Sequence, residues 1–280
     1  PLLIATLRAV LQLSVLAYCL LMPLFRLRSL PLLLAYFGFM LLVSTVEAAG
    51  RTAHTYPRHT RHALIAIALP VSIVLAYAMF FIVPPHEGSH LSPQTAVPIL
   101  GMLLGNCITA YSLTLDRFIA NLTGHKAPEI EIMTAFGATT WEAALSPARA
   151  ALSAGLTPSL NTLSVLGLVS IPGMMTGQIL GGQPPVEAAK YQIMILLMQT
   201  ACGAFSGGIG LLLATSTLFA ANHTLQHGLV VKRDRKSADV LVRLVYGVLL
   251  PAVNALAGCV RPGTHASTQG YEEMCDVEEG

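Results

Sequence analysis

A chain of 280 residues is long enough for one large or two small domains, but its charge sets its class first. Lys and Arg number 16 and Asp and Glu 14, together 11% of the chain, where a soluble globular domain carries about 25%. With 54% hydrophobic residues and a mean hydropathy of +0.66, too little charge is left to cover a water-facing surface. A soluble enzyme, a disordered chain and a nucleic-acid binder are excluded, and the composition belongs to a bilayer.

A hydrocarbon core of about 30 Å takes around 20 apolar helical residues, so spans are read from the gaps between charges. In chain order they are 2–22, broken only by Arg8, then 30–46, 63–83 and 91–115. The uncharged runs 150–186 and 191–231 each exceed one span, and 244–260, interrupted by Pro251, is the last candidate. The chain opens on Pro1 inside an apolar run. That is read as a missing or processed N-terminus, not a signal peptide, because no charged leader or small-residue cleavage site is present. Cys19, Cys107, Cys202, Cys259 and Cys275 are scattered without a C-x-x-C pair, the pattern of free thiols in apolar helices.

Charge between the spans sets their direction. Arg51, Arg58 and Arg61 lie beside His54, His59 and His62, and Lys232, Arg233, Arg235 and Lys236 follow the run 191–231, whereas 84–93 has neither Lys nor Arg. The positive-inside rule places both basic segments in the cytoplasm and 84–93 on the opposite side. One span further on, 116–149 is cytoplasmic as well. Arg26 and Arg28 then fall outside, against the rule, and the acidic tail 272–279 reads as disordered. Gly155, Pro158, Gly167, Pro172, Gly173 and Gly177 interrupt one apolar run, and Gly203, Gly207, Gly208 and Gly210 cluster in the next. Two readings stay open: broken helices lining a translocation path, or small residues that let helices pack closely.

The interval 116–149 carries the most information. Asn121 to Lys126 reads as a polar turn, and Pro128 and Glu129 suit the first turn of a helix. Gly137 suits its end, and a second short helix is expected from Thr140 to Ala151, kinked near Pro147. This is a helix-turn-helix exposing Trp141. It can present an apolar face to a partner's groove or lie as an amphipathic surface helix on the membrane.

The spacing from Glu131 to Gly137-Ala138-Thr139 resembles the coupling motif of ABC-transporter permease subunits. The block Gly167-Leu168-Val169-Ser170-Ile171-Pro172-Gly173-Met174-Met175-Thr176-Gly177, continuing through Pro184-Pro185-Val186-Glu187-Ala188-Ala189-Lys190-Tyr191-Gln192-Ile193-Met194, resembles one permease family. That family comprises the FetB-type iron-export permeases and the plant membrane subunits of aluminium tolerance. Arg8-Ala9-Val10-Leu11-Gln12-Leu13 and Gly101-Met102-Leu103-Leu104-Gly105-Asn106 resemble earlier family blocks. The resemblance implies a half-transporter that binds a separate ATPase and hydrolyses nothing itself, with one more span before Arg8. It also implies a family domain over 1–238 and a C-terminal extension, 239–280, holding an extra span and the acidic tail. The family pattern has an Asp and a Lys three apart where this chain has Asn161 and Ser164. The neutral pair offers hydrogen bonds but no fixed charge, which puts transfer of the family's cargo in doubt.

Other signals weigh less. His86-Glu87-Gly88-Ser89-His90 matches H-E-x-x-H, but that zinc site needs both histidines on one helix face; here Pro84-Pro85 precede and Ser92-Pro93 follow. His223 and His227 read as interfacial histidines, and His54, His59 and His62 as part of a solvated basic loop. The sequons at Asn121 and Asn222 fall on the cytoplasmic side and should stay unmodified. Met174, Met175, Met194 and Met198 fill gaps between helices more readily than they hold a soft metal, and no metal site is assigned. No Walker A sequence occurs.

The fold expected is therefore all-α: a polytopic transmembrane bundle of six to seven spans with a short cytoplasmic coupling helix-turn-helix. The chain is expected to be an integral membrane protein of the plasma or an internal membrane. It is expected to form a homodimer in the lipid bilayer with a cytoplasmic ABC ATPase subunit, binding no nucleic acid and no cofactor itself, with ATP held by the partner. Glu131, Gly137, Ala138, Thr139 and Trp141 are assigned to coupling. Asn161, Thr162 and Ser164, with Asn106 and Gln178, are assigned to the substrate path. Export of an iron-like metal is the leading activity. The alternatives are a permease for another cargo such as a nucleotide sugar, a secondary transporter or channel without an ATPase, and, on the H-E-x-x-H match alone, an intramembrane enzyme.

Overall fold

The computed structural model describes residues 30–82, 92–124, 127–219 and 227–232, with Thr6, Val10 and Leu13 as isolated helical positions. Seven helices lie among the described residues: α1 (Leu30–Arg51), α2 (His59–Tyr77), α3 (Pro93–Thr123), α4 (Ala127–Ala135), α5 (Thr140–Val165), α6 (Gly173–Leu180) and α7 (Pro185–Leu218). A π-helical turn, Ala78–Ile82, continues α2, and two short strands, β1 (His54–Thr55) and β2 (Val231–Lys232), pair antiparallel. All of these elements belong to one compact unit.

Among the described residues, four helical segments are long and apolar enough to cross a membrane: Leu30–Arg51, His59–Phe81, Pro93–Thr123 and Pro185–Leu218. Each overlaps one of the apolar runs read from the sequence over most of its length. The runs 2–22 (its three helical positions apart) and 244–260, the H-E-x-x-H loop, His223 and the boundary at 238 lie outside the described residues. Three expectations are corrected. The segment 150–186 is not a membrane-length helix: the end of α5, a tight turn at Gly167 and the eight-residue α6 divide it. The expected helix Thr140 to Ala151 does not stop there but runs on through Pro147 and Pro158 to Val165. A proline removes one intrahelical bond; here Ala143, Ala144, Pro147, Ala151 and Gly155 are buried against the bundle and hold the helix through it. The polar turn expected from Asn121 is also shorter, because α3 extends to Thr123.

The core is built around α3, which packs most extensively against α7 and α5. Leu100, Leu104, Tyr111, Leu115, Phe118 and Leu122 recur at intervals of three to seven residues and are all buried, so α3 is enclosed along most of its length. Two glycines set how closely its neighbours approach. A Cβ on Gly155 of α5 would meet the Ala110 carbonyl oxygen at 2.9 Å, and one on Gly210 of α7 would meet the Tyr111 ring at 2.7 Å. Here close packing is the reading that holds.

The basic turn after α1 and Lys232, the first residue of the second basic segment, meet at one end of the bundle. β1 and β2 put His54 opposite Lys232 and Thr55 opposite Val231. The same turn is tied to α3: the Ala53 N–H donates to Asp116 Oδ1 at 2.7 Å. The His59 ring packs between Tyr56 at 4.9 Å and Tyr111 at 6.1 Å, and Tyr56 Oη lies 3.2 Å from His62 Nδ1. Burial pushes the Tyr56 phenol pKa up. Asp116 is two helical turns from the end of α3, after which α4 begins, so the α4–α5 element stands at this basic end.

Candidate functional site

Two features carry functional geometry. The first is the α4–α5 turn. Gly137 has φ +92°, a conformation costly for side-chain-bearing residues. Its N–H donates to the Thr134 carbonyl and the Ala138 N–H to the Met133 carbonyl, both at 3.0 Å. These are the two bonds of a Schellman motif, with glycine at its left-handed position. One residue later Thr139 caps α5: the Glu142 N–H donates to Thr139 Oγ1 at 3.4 Å, and the Thr139 N–H returns a bond to Glu142 Oε2 at 2.8 Å. This capping box was not identified in the sequence, although Thr-x-x-Glu before an apolar run signals one. Bonds from the Thr139 backbone and then its hydroxyl hold the exposed Glu142 carboxyl below its usual range. Gly137, Ala138 and Thr139 thus close one helix and open the next with no residue left free to flex.

Buried Ile130 anchors α4, while Glu131 lies exposed. Around the turn Ile132, Phe136, Trp141 and Leu145 expose apolar surface, Phe136 at 88% and Trp141 at 53%. Trp141 and Leu145 also line an apolar groove of about 280 Å³ against Leu211 and Leu212 of α7.

The second feature is an open cavity of about 230 Å³ between α3, α5 and α7, lined by six polar side chains together with Pro158, Leu163 and Leu196. It brings together Asn106 and Thr162 with four residues not assigned from the sequence: Thr109, Ser159, Gln199 and Thr200. Ser159 Oγ and Asn106 Oδ1 bond across α5 and α3 at 2.9 Å. The other assigned path residues are not in its lining. Asn161 and Ser164 are exposed on α5, where Ser164 Oγ donates to the Asn161 carbonyl at 2.8 Å, and Gln178 is half-buried on α6. A face rule explains the difference. Asn106 and Thr109, like Ser159 and Thr162, are three apart and share a helix face, whereas Asn161 is turned about 100° from Thr162. The spacing of polar residues within the apolar runs was the available signal. Among the described residues no three His, Cys, Asp or Glu side chains gather where a metal could sit.

A helical bundle with four membrane-length apolar helices among its described residues is an integral membrane protein. The chain belongs to the uncharacterised protein family UPF0014, whose model matches residues 1–219. It is 36% identical over 191 residues to UPF0014 membrane protein slr1647 of Synechocystis, covering 68% of this chain and 72% of that one. It is 32% identical over 219 residues to the protein ALUMINUM SENSITIVE 3 of Arabidopsis thaliana, covering 78% and 77%. It is also 32% identical over 162 residues to the probable iron export permease protein FetB of Escherichia coli, covering 58% and 60%. These are the relatives the sequence resemblance indicated. No solved structure matches the chain.

Proposed function

We propose that the chain is the membrane subunit of an ABC transporter, with six to seven spans. Two copies pair in the bilayer, each docking a cytoplasmic ATPase that binds and hydrolyses ATP, while this chain holds no cofactor. The cargo proposed is an iron-like metal, exported by alternating access through the α3–α5–α7 cavity. The observation that carries the reading is the α4–α5 turn: locked by its two caps, standing at the basic end and edged with exposed Phe136 and Trp141. A rigid apolar knob can transmit a partner's motion, whereas a flexible loop would absorb it. The designation of FetB as a probable iron export permease supports export of iron, and the membrane-length helices support the bilayer location. In this reading Glu131, Gly137, Ala138, Thr139 and Trp141 form the docking element and Asn106 and Thr162 the path.

The test is reconstitution with a co-encoded ATPase carrying Walker A. Trp141→Ala and Gly137→Arg should leave the chain in the membrane and remove stimulation of ATP hydrolysis. Stimulation at the wild-type level in both variants refutes the docking assignment.

A further inference from the structure

The cavity carries more chemistry than its size. Four hydroxyls line it, and each hydrogen is already committed: Thr109 Oγ1 donates to the Gly105 carbonyl at 3.2 Å, Ser159 Oγ to Asn106 Oδ1 at 2.9 Å, Thr162 Oγ1 to the Pro158 carbonyl at 2.9 Å and Thr200 Oγ1 to the Leu196 carbonyl at 2.9 Å. What remains toward a guest is lone pairs on four oxygens, with the amides of Asn106 and Gln199 beside them. The cavity therefore accepts more hydrogen bonds than it gives. No charged side chain and no thiol is among the described residues that line it.

Those facts together select a guest. Moving even a singly charged ion out of water toward walls of low dielectric is strongly unfavourable before any compensation, and the cost rises with the square of the charge. Hard divalent cations are normally met by carboxylates, and here none is supplied. A solute rich in O–H or N–H groups meets acceptors at each wall instead. We infer that the α3–α5–α7 cavity binds an electrically neutral solute presenting O–H or N–H donors, so that a metal cargo enters wrapped in organic ligands and not as the bare ion. The inference rests on the transport reading for its role, and on the cavity alone for its chemistry. Two sources share that chemistry: a free polyol, and a neutral metal complex whose outer atoms carry the donors.

The experiment uses the full chain in nanodiscs without an ATPase. The probes are tritiated myo-inositol, radioactive ferrous iron as its neutral bis-glycinate, and ferrous ion alone under a reductant. Saturable binding is expected for at least one neutral probe and not for ferrous ion alone, and which neutral probe binds identifies the source. Thr162→Val and Thr200→Val keep side-chain volume while removing an acceptor, so each should weaken that binding about tenfold with unchanged thermal unfolding. Asn106→Asp should add binding of ferrous ion. The inference is overturned if ferrous ion alone saturates the wild type, if no neutral probe binds, or if the valine variants bind like the wild type. ATPase stimulation, measured separately, decides the transport reading, so the two can fail independently.

Discussion

Gly155→Ala tests whether the helix approach seen at α3 is required. The added Cβ would lie 2.9 Å from the Ala110 carbonyl oxygen and 3.0 Å from Thr114 Cβ. The nearest obstacle is the Thr114 hydroxyl, a side-chain end that can rotate aside, but the Ala110 carbonyl is backbone and cannot, so α3 and α5 must move apart. Overpacking of this kind costs about 1–3 kcal/mol, and the better helix propensity of alanine returns up to about 1 kcal/mol. A net loss of about 1–2 kcal/mol follows. Gly105→Ala is the matched control: Gly105 is exposed on α3 with nothing within 4 Å, so only the propensity gain applies. At about 2–4 °C per kcal/mol, Gly155→Ala should lower Tm by roughly 2–8 °C and Gly105→Ala should not lower it. Trp141 is the single tryptophan and sits at the start of α5, so its fluorescence reports the melt directly. Equal melting of the two variants refutes the claim that the crossing at Gly155 is tight.

Thr139→Ala removes the cap of α5 and should cost about 1 kcal/mol of local helix stability, read as faster amide exchange at Glu142. The linked carboxylate gives a pH signature. Because the Glu142 pKa is depressed in the fold, its contribution is present above the ordinary glutamate pKa and is lost as pH falls through the lower folded value; protection of the first turn of α5 should fall in that acid window, and Thr139→Ala should flatten the fall. Asp116→Ala frees the Ala53 N–H, and since the bond is solvent-exposed the loss is about 1 kcal/mol. Exchange at Ala53 should quicken, and Asp116→Asn should retain most of the protection. Cys107 and Cys202 are fully buried with their sulfurs 3.3 Å apart; after Cys19, Cys259 and Cys275 are changed to Ser, maleimide should label neither until the chain is denatured.

The legible parts of this fold were those written in local chemistry. Pro128, Glu129, Gly137 and Thr140 mark the start of α4, its end and the start of α5 to within a residue, because each answers a need of the backbone at a helix terminus. The gaps between charges located α1, α2, α3 and α7 because hydrocarbon excludes charge whatever the tertiary packing. The end of α5 was not legible. Its continuation past Pro147 depends on α3, whose buried face holds the helix where propensity alone would break it. Which assigned path residues would share the cavity was not legible for a related reason: Asn161 and Thr162 are equally polar, and only the rotation of α5 against α3 and α7 puts Thr162 in the cavity lining and not Asn161.

That rotation also ties the two features of the site together. α5 runs through both, since its first turn forms the capped knob and its Ser159 and Thr162 form one wall of the cavity. From Thr140 to Ser159 is 19 residues, about 28 Å of continuous helix at 1.5 Å each. In the transport reading, a push on the knob is carried down this rod to Gly155, where contact with the α3 backbone leaves no slack. Just beyond, Pro158 withdraws one intrahelical donor and makes the rod most compliant. Stiffness at Gly155 with compliance at Pro158 concentrates the displacement at the next residue, Ser159, whose 2.9 Å bond to Asn106 joins two walls of the cavity, α5 and α3. The contact that moves first under load from the basic end is then one that sets how those two walls stand to each other.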